Sequence, residues 1–319
     1  MNYTESKIHT GQPEYSKNFW NAMRGREGYY DSLSKGRSAA TDTYAMPNST
    51  DNKYMVALEQ ESLFRKIGTS FKIYGGSYHI LAKDCNDIAQ WVPEGGMIPI
   101  YDGIHDFTVN TVESWKLATF VKLDGEFVHD ASFDIENYLI KRLARNFGRS
   151  EDSAFINGTG AQMPTGILNP ANGAEVALTT DSISYDDVIR LYFSLQPEYR
   201  KKATWLMNDE TALALRTLKD STGNYLWRAS DDTILGKKVI ISEFMPNAES
   251  STKPIAFGDF SYYWVIDRSP ITVRTLLEKF ATLDQIGYLA FEFLDGKLVR
   301  REAVQVIQMN TTDPADTEA

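Results

Sequence analysis

Four histidines and one cysteine are the side chains here best suited to metal or nucleophilic chemistry, and their spacing supports neither. His9, His79, His105 and His129 stand far from one another and from Cys85. Zinc and facial-triad iron sites draw ligands from tightly spaced pairs, which are absent here. No Gly-x-Ser-x-Gly elbow offers a serine nucleophile. Asn157-Gly-Thr-Gly160 resembles a phosphate loop only in composition. Such a loop follows a strand and opens a helix, with Lys-Ser or Lys-Thr at its end, whereas these glycines close a helix. Asp186 with Asp187, and Asp231 with Asp232, fit a helix start and a polar loop better than a pair of catalytic carboxylates. The expectation is a chain that is no enzyme, without catalytic, cofactor-binding or metal-ligating residues; a soluble hydrolase with dispersed carboxylates is a third-ranked reading.

The elements that would position any chemistry are more informative. Ile135, Leu139, Leu143 and Phe147 recur every four residues, with Glu136, Asn137, Lys141, Arg142 and Arg145 on the other side. Asp134 is placed to cap this helix, and Asn157 and Gly158 to stop it. A helix over about 134–156 would run roughly 35 Å, long for a compact enzyme domain. It reads as the spine of an elongated subunit. Before it, alternation in SFKIYGGSYHILAK and HDFTVNTVESWKLATFVKL predicts a long hairpin over 71–110, its bend at IAQWVPEGGMIPIYDG. A two-stranded ribbon with no core of its own needs a partner surface. MVALEQESLFRKIG predicts a short helix, Ser184 and Asp187 a capping pattern, Asn208 a further cap, and Asp295-Gly296 a hairpin turn.

The composition is that of an ordinary globular protein. With 319 residues, 42% hydrophobic, the chain can bury a core large enough for two domains. Mean hydropathy of -0.36 and 24% charged residues argue against disorder, and no apolar run has membrane-spanning length. A lone cysteine forms no intrachain disulfide and fits a reducing cytosol. The net charge of -10 repels nucleic-acid phosphates on average. Residues 1–52 are rich in Tyr, Ser, Thr, Asn and Gly, as a flexible tail would be, but Phe19, Trp20, Tyr29, Tyr30 and Tyr44 favour an arm that orders only against neighbouring subunits.

The long helix followed by ED-x-AFI-x-G-x-G and P-x-GIL resembles the major capsid proteins of tailed bacteriophages, the Hong-Kong-97-type fold. YRKKATWLMNDETALALRTLKDSTGNYLW, ILGKKVIISEFMP, PIAFGDFSYYWVIDR and WVPEGGMIP are similar to further blocks of that family, in its order. The resemblance implies an α+β chain with an N-terminal arm (1–57), an extended hairpin (71–110), an axial domain (182–268), and a peripheral domain (58–70, 111–181 and 269–319). It implies self-association into the hexamers and pentamers of an icosahedral shell. The packaged double-stranded DNA would be held non-specifically, with an acidic lining letting it slide. A portal protein is a further partner, a membrane is not, and the location is the virion capsid, assembled in the host bacterial cytoplasm. Many members carry an N-terminal scaffolding domain that is cleaved on maturation; with Met1 so close to the arm, either a separate scaffolding protein directs assembly, which is the expectation, or the chain begins after processing. Some members cross-link through a loop lysine and an asparagine, and Lys72, Lys83 and Asn310 match no transferable motif for it. Expected assembly contacts are Phe19 and Trp20 in the arm, Trp91, Pro93 and Glu94 at the hairpin tip, and Leu226 and Trp227 near a symmetry axis; ordinary core packing is an equal reading for Trp227. The runner-up is an encapsulin-type nanocompartment shell.

Overall fold

The computed structural model describes residues 9–34, 43–73, 78–83, 91–94, 96–97, 107–130, 132–220, 222–227 and 232–311. Cys85, His105 and Asp231 lie outside them, as do the side chains of His79 and Lys83.

In chain order the elements are α1 (Pro13–Met23), β1 (Tyr44–Ala45), α2 (Asn48–Glu61), α3 (Leu63–Ile67), β2 (Thr69–Lys72), β3 (Tyr78–Lys83), β4 (Phe107–Val112), β5 (Trp115–Asp124), α4 (Gly125–His129) and α5 (Ile135–Asn157). There follow β6 (Glu175–Thr180), α6 (Tyr185–Ser194), α7 (Pro197–Arg200), β7 (Thr204–Met207), α8 (Asp209–Thr217), β8 (Thr233–Ile234), β9 (Lys237–Ile241), β10 (Ile255–Gly258), β11 (Tyr263–Leu276), β12 (Gln285–Leu298) and β13 (Val304–Met309).

The spine helix α5 begins one residue after Asp134, whose carboxylate accepts from Asn137 N. It ends at Gly158 because the chain doubles back: a Cβ there would lie 2.1 Å from Pro164 O. The glycine serves close backbone approach, not a phosphate. The predicted capping box is present, Ser184 Oγ accepting from Asp187 N while Asp187 accepts from Ser184 N, and Asn208 caps α8. The single short helix expected near residue 60 is two, broken at Ser62, which caps the second.

Two main sheets result. One runs β1-β11-β12-β5 with β2 parallel to β11; the other runs β6-β13-β10-β7-β9-β8. The spine helix and α2 cover the first sheet around Phe147, Leu143, Tyr54 and Tyr288. A second core, around Phe64, Phe155, Tyr263 and Val306, joins the two sheets. The third fills the second sheet, where Trp205 stacks on Phe257 at 4.1 Å.

Three expectations are corrected. Asp295-Gly296 is no turn: both residues pair with Ile266 and Val265 inside the β11–β12 ladder. Gly296 is needed there because a Cβ would press on Phe155 and Tyr263, each within 3 Å. The last strand, β13, was expected in the peripheral sheet; it lies inside the other one, antiparallel to β10 and parallel to β6. The boundary expected at Arg268 falls within β11, which belongs to the first sheet from Tyr263 onward. The extended hairpin itself narrows to the antiparallel pair β3–β4, while β5, read as part of the same alternation, pairs with β12.

Candidate assembly surfaces and their anchor

The hairpin leaves the body at β2 and returns through β4, and both crossings are pinned. On the outgoing side Lys72 Nζ lies 3.1 Å from Asp51, and Ile73 N donates to Asp267 O. On the return, Glu113 N donates to the buried Asp295 carboxylate at 2.8 Å and Lys297 Nζ donates to Thr111 O. Backbone groups that would otherwise be orphaned at the root are thereby satisfied.

Below this root lies the most highly charged buried site among the described residues. Arg65, on α3, donates to Glu151 through Nε (2.8 Å) and Nη2 (2.6 Å), and to Asp267 through Nη1 (3.1 Å) and Nη2 (2.8 Å). Nη2 also reaches Glu292 at 3.2 Å, and Tyr54 Oη donates to the other oxygen of Glu292 at 3.0 Å. One guanidinium thus ties the spine helix to β11 and β12, with every group buried. Burial works against the Arg65 charge, but Glu151 and Asp267 outweigh it and raise its pKa further. Burial raises Glu292 well above the usual carboxylate range, and Glu151 beside it raises it more. Glu151 is raised too, chiefly by burial, with Arg65 opposing. Three carboxylates facing one cation in a dry site favour retaining a proton shared among them, and the upward shift is strongest at Glu292. Asp152, the next residue on the helix, caps α3 through Leu63 N (2.7 Å) and Phe64 N (3.1 Å).

This cluster was not read from the sequence, because its members lie 86 to 227 residues apart from Arg65. One signal existed. Glu151 and Asp152 stand in the C-terminal half of a helix, where the macrodipole disfavours acids, so they had to be held by something else. The cluster is sealed, so its carboxylates act as structural ties rather than as the hydrolytic pair that a dispersed site would need.

The residues expected at contacts divide sharply. Trp91, Pro93 and Glu94 are exposed at the hairpin tip, where Gly96 N donates to Pro93 O in a tight turn. Trp91 and Met97, flanking that turn, are wholly exposed. Phe19, by contrast, is fully buried in this subunit's own first core, with Tyr15, Ala22 and Met23 of the same helix. Trp20 is half-buried, edge-on to Phe19. The helix is held by Tyr288 Oη donating to Met23 O (2.8 Å) and by Arg24, whose guanidinium donates to Val128 O and Phe133 O. The expectation of an arm that orders only against neighbours therefore does not hold for α1. Trp227 is buried in the third core under Arg216, 4.2 Å from its ring, whereas Leu226 is exposed beside it. Lys72 and Asn310 are both engaged, the latter donating to Asp181 at 2.6 Å.

Wholly exposed aromatic and thioether side chains on a rigidly rooted hairpin do no folding work within the subunit; they are suited to binding another surface. The model of the phage capsid family matches residues 42–309. No curated protein matches the chain. The capsid of an empty GTA particle is 26% identical, with a TM-score of 0.66 over 79% of this chain and 90% of that one. The capsid of the native GTA particle gives 0.64 at 24% identity, over 89% and 98%. A structure from Microbacterium phage Oxtober96 gives 0.58 at 16% identity, over 78% and 91%, and like the preceding one speaks for the fold alone.

Proposed function

The chain belongs to the phage capsid family, and from that premise we propose that it is the major subunit of an icosahedral shell around the packaged double-stranded DNA of a tailed bacteriophage. It is a structural, capsid shell protein with the Hong-Kong-97-type α+β fold. The observation that carries the finer reading is the family match over most of the chain, joined to a rooted hairpin whose tip is wholly exposed. Closed shells from one chain need several heterologous contacts per subunit, each of them weak, because ring closure makes later contacts intramolecular. The exposed hairpin tip supplies one such contact without enlarging the body.

The proposal extends to hexamers and pentamers of this chain, a separate scaffolding protein, a portal, non-specific retention of DNA, and assembly in the host cytoplasm. An encapsulin-type shell shares the fold, but no structural feature favours it. The test is negative-stain electron microscopy with light scattering on the full chain, expressed alone and with its neighbouring genes. Uniform closed particles are expected in at least one condition. A monomer in both overturns the proposal.

A further inference from the structure

The outgoing strand of the hairpin and the buried charge cluster meet in one residue. Asp267 accepts from Ile73 N through its carbonyl, and its carboxylate accepts from Arg65. Arg65 lies on α3, five residues long, which runs through Gly68 into β2, four residues long. This short run carries the hairpin out of the body, with β2 parallel to β11 from Trp264 to Asp267. The carboxylates that face Arg65 stand instead on long elements, Glu151 on α5, Asp267 on β11 and Glu292 on β12. The outgoing root is therefore a short piece seated on a rigid frame.

Fully ionised, that seat would hold two negative charges in excess. Among the described residues Arg65 is the one cation paired to its three carboxylates. From α5, Asp152 stands beside Glu151 and accepts from the first N–H groups of α3, with Lys66 nearby. From β12, Asp295 faces Tyr263 of β11 and lies 3.6 Å from Lys297. From α2, Tyr54 brings a hydroxyl and no charge, donating to Glu292 at 3.0 Å. Excess charge away from water is relieved either by binding a proton or by opening the site to solvent. We propose that closure of the hairpin root takes up about one proton: the α3–β2 run is seated on α5 and β11 while the cluster holds that proton, and rising pH loosens the run ahead of the sheet beneath it.

Apolar contact opposes opening at every pH, because Phe64, next to Arg65, is packed edge-on to Phe155, Phe260 and Tyr263. The proton supplies the part that varies. Carboxylates of the open root titrate at their ordinary values, whereas burial raises Glu292 and Glu151 in the closed one. The closed form therefore binds more protons above pH 4.5. Opening grows about tenfold per pH unit from there until the raised value is passed. A loosened root leaves the exposed tip without a fixed aim, which makes presentation of the hairpin a function of pH. The device belongs to the single chain and does not depend on the shell reading.

Amide hydrogen exchange of the full chain across a pH series, corrected for the intrinsic base-catalysed rate, tests this. In wild type, residues 63–73 should exchange sooner than the β11–β12 ladder beneath them. Their protection should fall about tenfold per pH unit above 4.5 and level off once the cluster has lost its proton. Glu292→Gln leaves Arg65 its contacts with Glu151 and Asp267, and should make that protection nearly independent of pH. Tyr54→Phe removes a hydroxyl that favours the charged form of Glu292, so its decline should extend to higher pH than in wild type. A purely structural role would lower protection in both variants without changing the slope.

Flat protection of residues 63–73 in wild type overturns the proposal, as do parallel slopes in wild type and Glu292→Gln. Exchange of these residues in step with the β11–β12 ladder at every pH overturns it too, since opening is then global unfolding. If Glu292→Gln does not fold, the Tyr54→Phe profile decides, and one that coincides with wild type overturns the proposal.

Discussion

The N-terminal helix and the hairpin tip look alike as sequence, each an aromatic-bearing stretch outside any clear domain, yet the structure treats them oppositely. Tyr15, Phe19, Ala22 and Met23 recur at helical spacing and go into the subunit's own core. Trp91 and Met97 lie among Pro and Gly without a period and remain outside. An aromatic is an external anchor when nothing in its local pattern gives it an internal face to join. Periodicity, more than aromatic content, separates a folded arm from a reaching one.

The comparison breaks most readily at Phe19. Its ring is buried between Tyr15 and Trp20, so Phe19→Ala should destabilise the unassembled subunit by about 3–5 kcal/mol. Chemical denaturation of the monomer measures this; a change below about 1 kcal/mol would show that α1 docks elsewhere, as an arm would.

The root of the hairpin gives the next contrast, because buried ion pairs lie beneath it, whereas α1 docks through an apolar face and hydrogen bonds to carbonyls. Glu292 has a raised pKa, so the folded chain keeps a proton that the unfolded chain releases once pH passes the ordinary value of 4.5. Stability from this group is therefore complete below that value and declines as pH rises toward the folded pKa. Glu292→Gln keeps a neutral partner for Tyr54 and Arg65 and removes the titration. It should gain on wild type as pH rises above 4.5, by up to about 1.4 kcal/mol per pH unit until the folded pKa is passed. Melting curves of both proteins across that range would decide it, and parallel pH profiles would place the proton elsewhere. Asp134 has the opposite sign. The Asn137 N–H lowers its pKa, so its contribution is present above 3.8 and is lost in stronger acid.

What could be read from the sequence was the local part of this arrangement. The spine helix and the caps at Asp134, Ser184 and Asn208 were legible because a cap and its first turn lie within four residues. Local chemistry also misled. Asp295-Gly296 has the composition of a turn, but the ladder with β11 overrides it, and the glycine is there to admit Phe155. The Arg65 cluster had no local signature beyond acids in the wrong half of a helix. The membership of β13 depended on pairing across more than 40 residues with β10, which alternation alone does not specify. Of the expected contact residues, the tip has no period and lies exposed, whereas Phe19 shares a helical period with Tyr15, Ala22 and Met23 and lies in the subunit's own core.

Asp134→Ala tests the legible part at a smaller scale. Losing the oxygen that accepts from Asn137 N should destabilise the subunit by about 1 kcal/mol, as cap removal does elsewhere. No effect would mean that helix α5 is fixed by packing alone.

The smallest effect on folding, and the sharpest test of the contrast, belongs to Trp91. With its side chain wholly exposed it contributes no burial to the subunit, so Trp91→Ala should shift monomer stability by no more than about 0.5 kcal/mol. In an assembly where that ring is buried, the same truncation should cost about 2 kcal/mol or more per contact. Repeated around a closed shell, this suppresses particle formation far more than any single contact suggests. Side-by-side melting of the unassembled protein and particle counts by electron microscopy separate the two quantities. A large loss of monomer stability would place Trp91 against its own subunit and erase the distinction from Phe19. Unchanged monomer and unchanged assembly together would mean that the tip is solvated on both sides of the reaction. Loss of assembly alone is the outcome that an aromatic without an internal partner requires.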